Sequence, residues 1–274
     1  MRRFNFVILV LLVVLSGSLN AAGQATTAQK AERGSQIAKA GFRNEDEIAA
    51  KFNNWTADAD ARSWLTAMSF RIDDIATVTA GKPHGEKADV EVVVKTKAGK
   101  ERKEGVSIKL VSSPSGFNQI DKRWLRQYVK LWSMPQDVET ALKVFLGEIP
   151  PDKPSRAANR MFLNELDPAA QKAVVDFFTV NKDRIVSDLI SGDGVHAAGW
   201  IMVAFKATSI TRWTLKSTAA AAAYFGEGKV EITRAGNLKI GLVTMQRKGG
   251  DGGRETAKML QFKINPALLI TPGQ

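Results

Sequence analysis

Two β-branched segments separated by a turn constrain the fold of this chain more than any other feature. Residues 89–96 read DVEVVVKT and residues 106–111 read VSIKLV, and the segment KAGK at 97–100 marks a turn between them. Runs of this kind, bounded by turn residues, are typical of β-strands. Because side chains alternate along a strand, Ser107 and Lys109 share one face while Ile108 points into apolar packing. The pattern predicts neighbouring strands of one sheet.

The polar residues of these strands suggest a chemistry. Asp89 opens the first strand, and Lys109 lies in the second, two positions after Ser107. A carboxylate in this position can hold a divalent cation against a phosphate, and a nearby lysine can orient or deprotonate the attacking water. The layout is typical of metal-dependent phosphodiesterases, although an aspartate and a lysine on neighbouring strands also occur by chance in α/β proteins.

The composition favours a polyanionic partner and excludes several kinds of site. The chain has 274 residues, enough for a sizeable domain with a real core. Its formal net charge of +11 suits nucleic acid, and a membrane surface would suit it too. Without cysteine, disulfides and thiolate metal sites are excluded. Only His84 and His196 are present, both in loop-like segments, so a histidine zinc cluster or a serine–histidine hydrolase is not expected.

The N-terminal segment has the three parts of a secretory signal peptide. A basic start at 2–3 precedes an apolar run at 7–15 and an alanine-rich segment at 21–25. The run is too short for a comfortable membrane span, and no stable membrane association of the mature domain is expected. Two interpretations stay open: residues 1–31 are a mis-assigned extension of a cytoplasmic protein, or they direct its export.

Hydrophobic periodicity along the rest of the chain predicts an α/β protein. Helices are predicted at 35–52, 58–68, 123–132, 138–146 and 168–190. Strands are predicted at 75–79, 89–96, 106–111, 200–205, 229–233, 238–244 and 259–264, with a hairpin turn at 235–237.

Further segments carry a resemblance to a known family. After Lys109 the chain reads LVSSPSGFNQIDKRW, and near the C-terminus it reads MQRKGGDGGRET. Together with GFRNE at 41–45 and RMF at 160–162, these segments resemble the HinP-type restriction endonucleases, type II enzymes that cut duplex GCGC. The similarity implies the core of the PD-(D/E)XK nucleases, a central mixed β-sheet flanked by helices. It also implies one endonuclease domain at 32–274, with a catalytic core at about 35–150 and a DNA-recognition part at about 155–270.

The resemblance implies roles for the residues of the predicted strands. Asp89 matches the family's metal-binding aspartate and Lys109 its catalytic lysine, with Mg²⁺ as the cofactor. Ser107 departs from the pattern, since the related enzymes have glutamine there and most of the superfamily has glutamate or aspartate. A serine reaches a cation only through water, so the carbonyl of Ile108 and the first-helix carboxylate of Glu45 are the expected compensating ligands. An acid at a helix start is, however, also favoured by the helix dipole alone.

Two segments are expected to read the DNA. In a glycine-flanked loop, Phe117 can wedge between base steps, and the central CG step of GCGC unstacks easily. The neighbouring amides of Asn118 and Gln119 can meet base edges, while Lys122 is expected on the phosphate backbone. The second segment carries the basic and amide side chains expected in the major groove, namely those of Gln246, Arg247, Lys248 and Arg254.

The sequence therefore predicts a Mg²⁺-dependent type II restriction endonuclease that acts on double-stranded DNA in the cytoplasm, as a monomer or a homodimer. A cognate DNA methyltransferase is the expected functional partner. Three alternatives stay open: a catalytically impaired DNA-binding protein, suggested by Ser107; an exported nonspecific DNase, suggested by the leader; and a structure-selective repair nuclease of the same superfamily.

Overall fold

The computed structural model has the predicted mixture of helices and strands. It describes residues 27–83, 87–192, 197–207, 210–250 and 254–270. The helices are α1 (Thr27–Asn53), α2 (Ala59–Ala67), α3 (Leu125–Trp132), α4 (Gln136–Leu146), α5 (Pro168–Val180), α6 (Lys182–Ser191) and α7 (Thr218–Phe225). The strands are β1 (Ile75–Gly81), β2 (Val90–Thr96), β3 (Glu101–Val111), β4 (Asn118–Arg123), β5 (Trp200–Phe205), β6 (Arg212–Ser217), β7 (Val230–Ile232), β8 (Leu238–Ile240), β9 (Val243–Arg247) and β10 (Leu260–Ile264).

A mixed sheet of five strands has the order β1-β2-β3-β5-β6. The first three strands are antiparallel neighbours, β5 runs parallel to β3, and β6 returns antiparallel to β5. In β2, Val90, Val92 and Val94 are fully buried and alternate with more exposed residues. These valines join a core with Phe52 of α1 and Leu65 of α2. The predicted mixed sheet flanked by helices is confirmed.

A second sheet is antiparallel throughout, with the order β4-β10-β9-β8-β7. Its inner face packs on α3 to α7 in a core where the rings of Tyr128 and Trp132 meet Phe262 edge-on. Val111 and Phe205, at the ends of β3 and β5, belong to the same core. The larger core therefore contains residues of both sheets.

Several elements differ from those predicted. Residues 168–190 form two helices rather than one, because Asn181 leaves helical geometry with φ −101° and ψ 10° and its side-chain amide donates to the Phe177 carbonyl. The predicted strand 238–244 is interrupted at Gly241, whose φ is 58° and where a Cβ would lie 2.6 Å from the Phe225 carbonyl oxygen. Strands β4 and β6 were not predicted.

Each sheet draws strands from both sides of residue 150, because β4 belongs to the second sheet and β5 and β6 complete the first. The division into a catalytic core and a recognition part stays a prediction. The apolar run of the leader and both histidines lie outside the described residues. Within the described ranges, no helix is long and apolar enough to cross a membrane.

Candidate active site and DNA-binding surface

Asp89 lies immediately before β2, where strand pairing brings it against the middle of β3. Its backbone N–H donates to the Val106 carbonyl at 2.9 Å, which fixes the register at this end of the two strands. Its Oδ2 accepts a hydrogen bond from the backbone N–H of Ile108 at 2.5 Å and another from the Ser107 hydroxyl at 3.3 Å. The backbone of β3 thus sets the position of the carboxylate.

Lys109 completes this group from the same strand. Its Nζ donates to Ser107 Oγ and to the Ile108 carbonyl, both at 3.0 Å, and lies 3.8 Å from Asp89 Oδ2. Ser107 is only 2% exposed and bridges the lysine and the aspartate. The structure therefore brings together four of the predicted site residues, namely Asp89, Ser107, Ile108 and Lys109. Ser107 connects Lys109 to Asp89 and does not face solvent.

Glu45 approaches the same group from α1, which packs on β1, β2 and β3. Burial raises the pKa of the half-buried Glu45 carboxyl, and the negative charge of Asp89 raises it further, while Lys82 and Lys109 act in the opposite direction. The charges of Asp89 and Lys109 therefore act on the predicted compensating carboxylate of Glu45.

The donor atoms of this group fit a hard cation. Among the described residues, no cluster combines three or more His, Cys, Asp or Glu side chains in a geometry that could hold a metal ion. The carboxylates of Asp89 and Glu45 and the carbonyl of Ile108 are oxygen ligands, and Mg²⁺ typically takes one or two carboxylates while it keeps several waters. The Ile108 carbonyl accepts from Lys109 here, but a carbonyl oxygen has a second lone pair.

Lys87 lies two residues before Asp89 and is largely buried. Its Nζ donates to the carbonyl of Ile120 in β4 at 2.6 Å and to the carbonyl of Leu189 in α6 at 2.8 Å. Burial lowers the pKa of Lys87 to about 8, against the attraction of Asp121 at 3.8 Å. Gly192 has φ 84° and lets this side chain pass, because a Cβ there would lie 2.9 Å from Lys87.

The buried Asp121 is the centre of a polar network in β4. It accepts two hydrogen bonds from the Arg123 guanidinium at 3.1 Å and one from the Tyr128 hydroxyl at 2.5 Å. Burial and the negative charge of Asp121 raise the pKa of Tyr128. The aspartate is therefore held by cations and a hydroxyl, as a buried carboxylate requires.

The predicted reading residues at 117–119 lie where the chain enters β4. Phe117 is 58% exposed, as its glycine-flanked loop indicated. Asn118 belongs to the strand rather than to the loop, and its Nδ2 donates to the Leu110 carbonyl at 3.0 Å, one residue beyond Lys109. Gln119 is exposed. The start of β4 is thus tied directly to the strand that carries the lysine.

A bulge in β4 determines which of its side chains face the core and which lie on the outer face of the sheet. Lys122 pairs with Gln261, Asp121 with Phe262, and Gln119 with Lys263, so that Ile120 has no partner in β10. A bulge shifts the alternation by one residue and re-aims the side chains that follow. Asp121 consequently faces the core while Gln119 and Lys122 share the outer face of the sheet.

The same outer face carries residues that the sequence analysis missed. Leu260, Phe262 and Ile264 of β10 are fully buried, so Gln261 and Lys263 point outwards, next to Gln119 and Lys122. Gln246 of β9 pairs directly with Gln261 and shares this face. The signal was present in the sequence, since the predicted strand 259–264 alternates apolar and polar residues.

The other residues of the predicted second reading segment have different surroundings. Arg247 ends β9, and its Nε donates to the Leu146 carbonyl at the end of α4 at 2.8 Å. Lys248 is half-buried, and its backbone N–H donates to the Met259 carbonyl. Arg254 is exposed and follows residues 251–253, which lie outside the described part of the chain. Gln246 lies beside Gln261, and its side-chain amide donates to that of Gln261 at 3.3 Å.

Comparisons with known proteins agree with this architecture. The fold matches the crystal structure of restriction endonuclease MspI in complex with its cognate DNA, with a TM-score of 0.57 and 14% sequence identity over 80% of this chain and 87% of that chain. A similarity at this level of identity concerns the fold. Among curated protein sequences, none matches this chain significantly.

The sequence profile of the R.HinP1I restriction endonuclease family matches residues 68–270, which is most of the chain. The matched range contains Asp89, Ser107 and Lys109 and both predicted reading segments, and it begins after Glu45. This chain therefore belongs to the R.HinP1I restriction endonuclease family and is a type II site-specific deoxyribonuclease that acts on double-stranded DNA.

Proposed function

We propose that this endonuclease cuts double-stranded DNA at GCGC in a Mg²⁺-dependent reaction. The observation that carries the proposal is the hydrogen-bonded chain from Lys109 through Ser107 to Asp89 at the junction of β2 and β3. An ammonium group beside a backbone-anchored carboxylate combines the two functions that phosphodiester hydrolysis needs, a cation ligand and a group that orients water.

Each residue of the site has a role in this proposal. Asp89, Glu45 and the Ile108 carbonyl would hold the cation, which when bound would stabilise charge on the phosphate and lower the pKa of a bound water. Lys109 orients the attacking water, and Ser107 holds the lysine in place. The water oxygen bonds to phosphorus while the bond to the 3′ oxygen breaks. The products are a 5′-phosphate and a 3′-hydroxyl end.

The outer face of the second sheet and the loop before it would read the target. The exposed ring of Phe117 can enter the central CG step, a pyrimidine–purine step that unstacks at little cost. Gln119 and Gln246 can hydrogen-bond with base edges. Lys122 and Arg254 suit phosphate contacts, and the +11 formal charge of the chain supports attraction to DNA as a whole.

The biological setting follows from the proposed activity. A GCGC-cutting enzyme in the cytoplasm requires protection of the host sites, so a cognate DNA methyltransferase is its expected functional partner. Because the target is a palindrome, either a homodimer or a monomer that acts twice can cut both strands. Residues 35–150 would then supply catalysis and part of the recognition surface, and residues 155–270 the rest of that surface.

End-labelled duplexes test the proposal. One duplex contains a single GCGC site and its matched control contains GGCC, and each is incubated with Mg²⁺ or with EDTA. We expect Mg²⁺-dependent cleavage of the first duplex only, with 5′-phosphate ends. Lys109→Met should lower the cleavage rate by about 10²- to 10⁴-fold while DNA binding persists. Equal cleavage of both duplexes would contradict the proposed specificity.

A member of this family that binds its DNA target but cleaves it poorly is the second candidate, and Ser107 favours it. Serine has no carboxylate to offer the cation. Its hydroxyl is also engaged with Lys109 and Asp89, so it adds no free ligand to the group that would hold the cation. This candidate predicts a gel shift on GCGC without cleavage by the wild type, and recovery of cleavage in Ser107→Gln. Cleavage by the wild type would exclude it.

A further inference from the structure

Three glutamines on the outer face of the second sheet form a hydrogen-bonded row that we name the amide ladder: Gln119, Gln261 and Gln246. Gln261 Nε2 donates to Gln119 Oε1 at 2.6 Å, and Gln246 Nε2 donates to Gln261 Oε1 at 3.3 Å. Gln261 is 8% exposed, whereas Gln119 is exposed and Gln246 is half-buried. The middle amide is thus engaged within the protein on both its nitrogen and its oxygen, and the two ends can meet a ligand.

The amide ladder couples the orientations of its two ends. A glutamine offers one donor group and one acceptor group, so a neighbour that uses one of them leaves the other for a partner. Gln119 accepts within the ladder and keeps its amino group, while Gln246 donates within the ladder and keeps its oxygen. If all three amides were reversed together, both ends would change. The ends therefore always present opposite hydrogen-bonding character.

This opposite character complements the major-groove edges of G·C pairs. Guanine presents two acceptors there and cytosine presents an amino donor. β10 lies between β4 and β9, and Gln119 is offset by two residues from the position opposite Gln261, so the backbones of the two end residues stand about 10–12 Å apart. That distance corresponds to about three base-pair steps of B-DNA. The outer guanine and the outer cytosine on one strand of GCGC have this separation.

The surroundings of the amide ladder suit a nucleic acid. Lys122 pairs with Gln261, and Lys263 pairs with Gln119, on the same outer face. Both lysines are half-buried, and such side chains can place their ammonium groups at phosphates while the amides face base edges.

We infer that Gln261 is a specificity-determining positioning residue, which holds the amides of Gln119 and Gln246 in opposite orientations so that they select G·C pairs. The inference rests on the proposed function, because it assumes that these two glutamines meet the bases of the target. Gln261 itself touches no base. Its replacement should therefore change which sequences are cut more than how fast the best one is cut.

Cleavage of a duplex library with four randomised base pairs tests this inference, with sequencing of the cut products. In Gln261→Met, which keeps the size but removes the amide, the preference for G·C over A·T at the outer positions should fall by at least about tenfold, while cleavage of the preferred site changes far less. Gln261→Glu keeps only an acceptor, so both neighbours should donate to it and present oxygens, and the preference should shift. The matched control is Gln171→Met on α5, which also removes a hydrogen-bonded glutamine amide but lies outside the amide ladder.

The results of this experiment distinguish failure of the inference about Gln261 from failure of the GCGC proposal. If Gln261→Met and Gln261→Glu lower cleavage of all sites equally, together with the melting temperature, the residue is structural and the inference is wrong. An unchanged preference in folded variants would overturn it as well. The wild type could also prefer a sequence other than GCGC, with only the Gln261 variants losing that preference. In that case the GCGC proposal is wrong and the inference about Gln261 stands. A wild type without any preference would overturn both.

Discussion

At the scale of single residues, the chemistry of the site depends on Ser107 as a bridge. Its hydroxyl accepts from Lys109 and donates to Asp89, so it aligns the ammonium group with the carboxylate. Glutamine, glutamate or aspartate, the residue types expected here, could reach a cation directly. In the proposed site, the serine leaves direct ligation of the cation to Asp89, Glu45 and the Ile108 carbonyl.

Replacement of Ser107 by alanine should slow cleavage without weakening DNA binding. Loss of the hydroxyl removes one of the acceptors that fix Lys109, and misplacement of a catalytic group costs about 10- to 100-fold in rate. Single-turnover cleavage and a binding titration measure the two effects separately. Ser187→Ala, on the exposed side of α6, is the matched control and should cleave normally. A cleavage rate within about twofold of the wild type would contradict the bridging role.

Alternation along the second strand predicted that Ser107 and Lys109 share a face, and the family resemblance added Asp89 to the same site. The hydrogen bonds of Ser107 could not be predicted, because they depend on side-chain rotamers and on the twist of the two strands. Gln261 was missed for a different reason. Its importance arises from two neighbours that are distant in the sequence, Gln119 and Gln246, and no local pattern connects the three.

At the scale of elements, β4 is anchored to the catalytic strands by two side chains. Lys87, next to β2, donates to Ile120, and Asn118 donates from β4 to Leu110 of β3. The strand that carries the proposed reading residues is therefore fixed relative to Asp89 and Lys109.

Lys87→Met should destabilise the fold markedly. The change leaves the carbonyls of Ile120 and Leu189 without this donor and removes a cation near the buried Asp121. We expect a loss of about 2–4 kcal/mol in the free energy of unfolding. Urea denaturation checks this value. Lys103→Met, at an exposed position of β3, should change stability by less than about 0.5 kcal/mol. Equal effects of the two changes would contradict the anchoring role of Lys87.

The segment between α4 and α5 gives a pH-dependent prediction. Burial alone would raise the pKa of Glu165, but hydrogen bonds from the backbone of Phe162 and Arg156 and from the side chains of Arg156 and Ser155 lower it to about 2. Because the folded pKa lies below the unfolded value, this carboxylate stabilises the fold above about pH 4.5, and the contribution is lost as the pH falls towards 2.

Glu165→Gln should therefore lower the free energy of unfolding at neutral pH, by about 1 kcal/mol or more. The difference from the wild type should narrow as the pH falls below about 4.5. Urea denaturation at a series of pH values measures this. Glu227→Gln, at an exposed position after α7, serves as the control. A difference that stays constant with pH would show that the charge of Glu165 is not responsible.

The elements that were missed have physical causes. β4 begins directly after the loop and contains Asp121 and the bulge at Ile120, so neither a regular alternation nor an apolar run marks it. The helix break at Asn181 was concealed because apolar residues continue at helical spacing on both sides of it. Tertiary contacts decide such boundaries, and they are not encoded in a short window of sequence.

At the scale of the whole molecule, excess positive charge predicts salt-dependent DNA binding. Lys263 lies on the outer face of the second sheet beside the amide ladder, opposite Gln119. If its ammonium group contacts one phosphate, Lys263→Gln should weaken binding to cognate and unrelated duplexes equally. It should also reduce the slope of log K against log salt concentration by about 0.9. Lys172→Gln, in an exposed ion pair with Asp176 on α5, should leave that slope unchanged. The same slope in both variants would place Lys263 outside the DNA interface.

Digestion of a plasmid of known sequence tests the central claim most directly. The wild-type protein and Lys109→Met are incubated with the plasmid in Mg²⁺ and in EDTA, and the fragment ends are sequenced. We expect discrete Mg²⁺-dependent fragments whose ends all map to GCGC for the wild type, and intact plasmid for the variant and for EDTA. A smear, fragments that end at other sequences, or equal cleavage by Lys109→Met would contradict it.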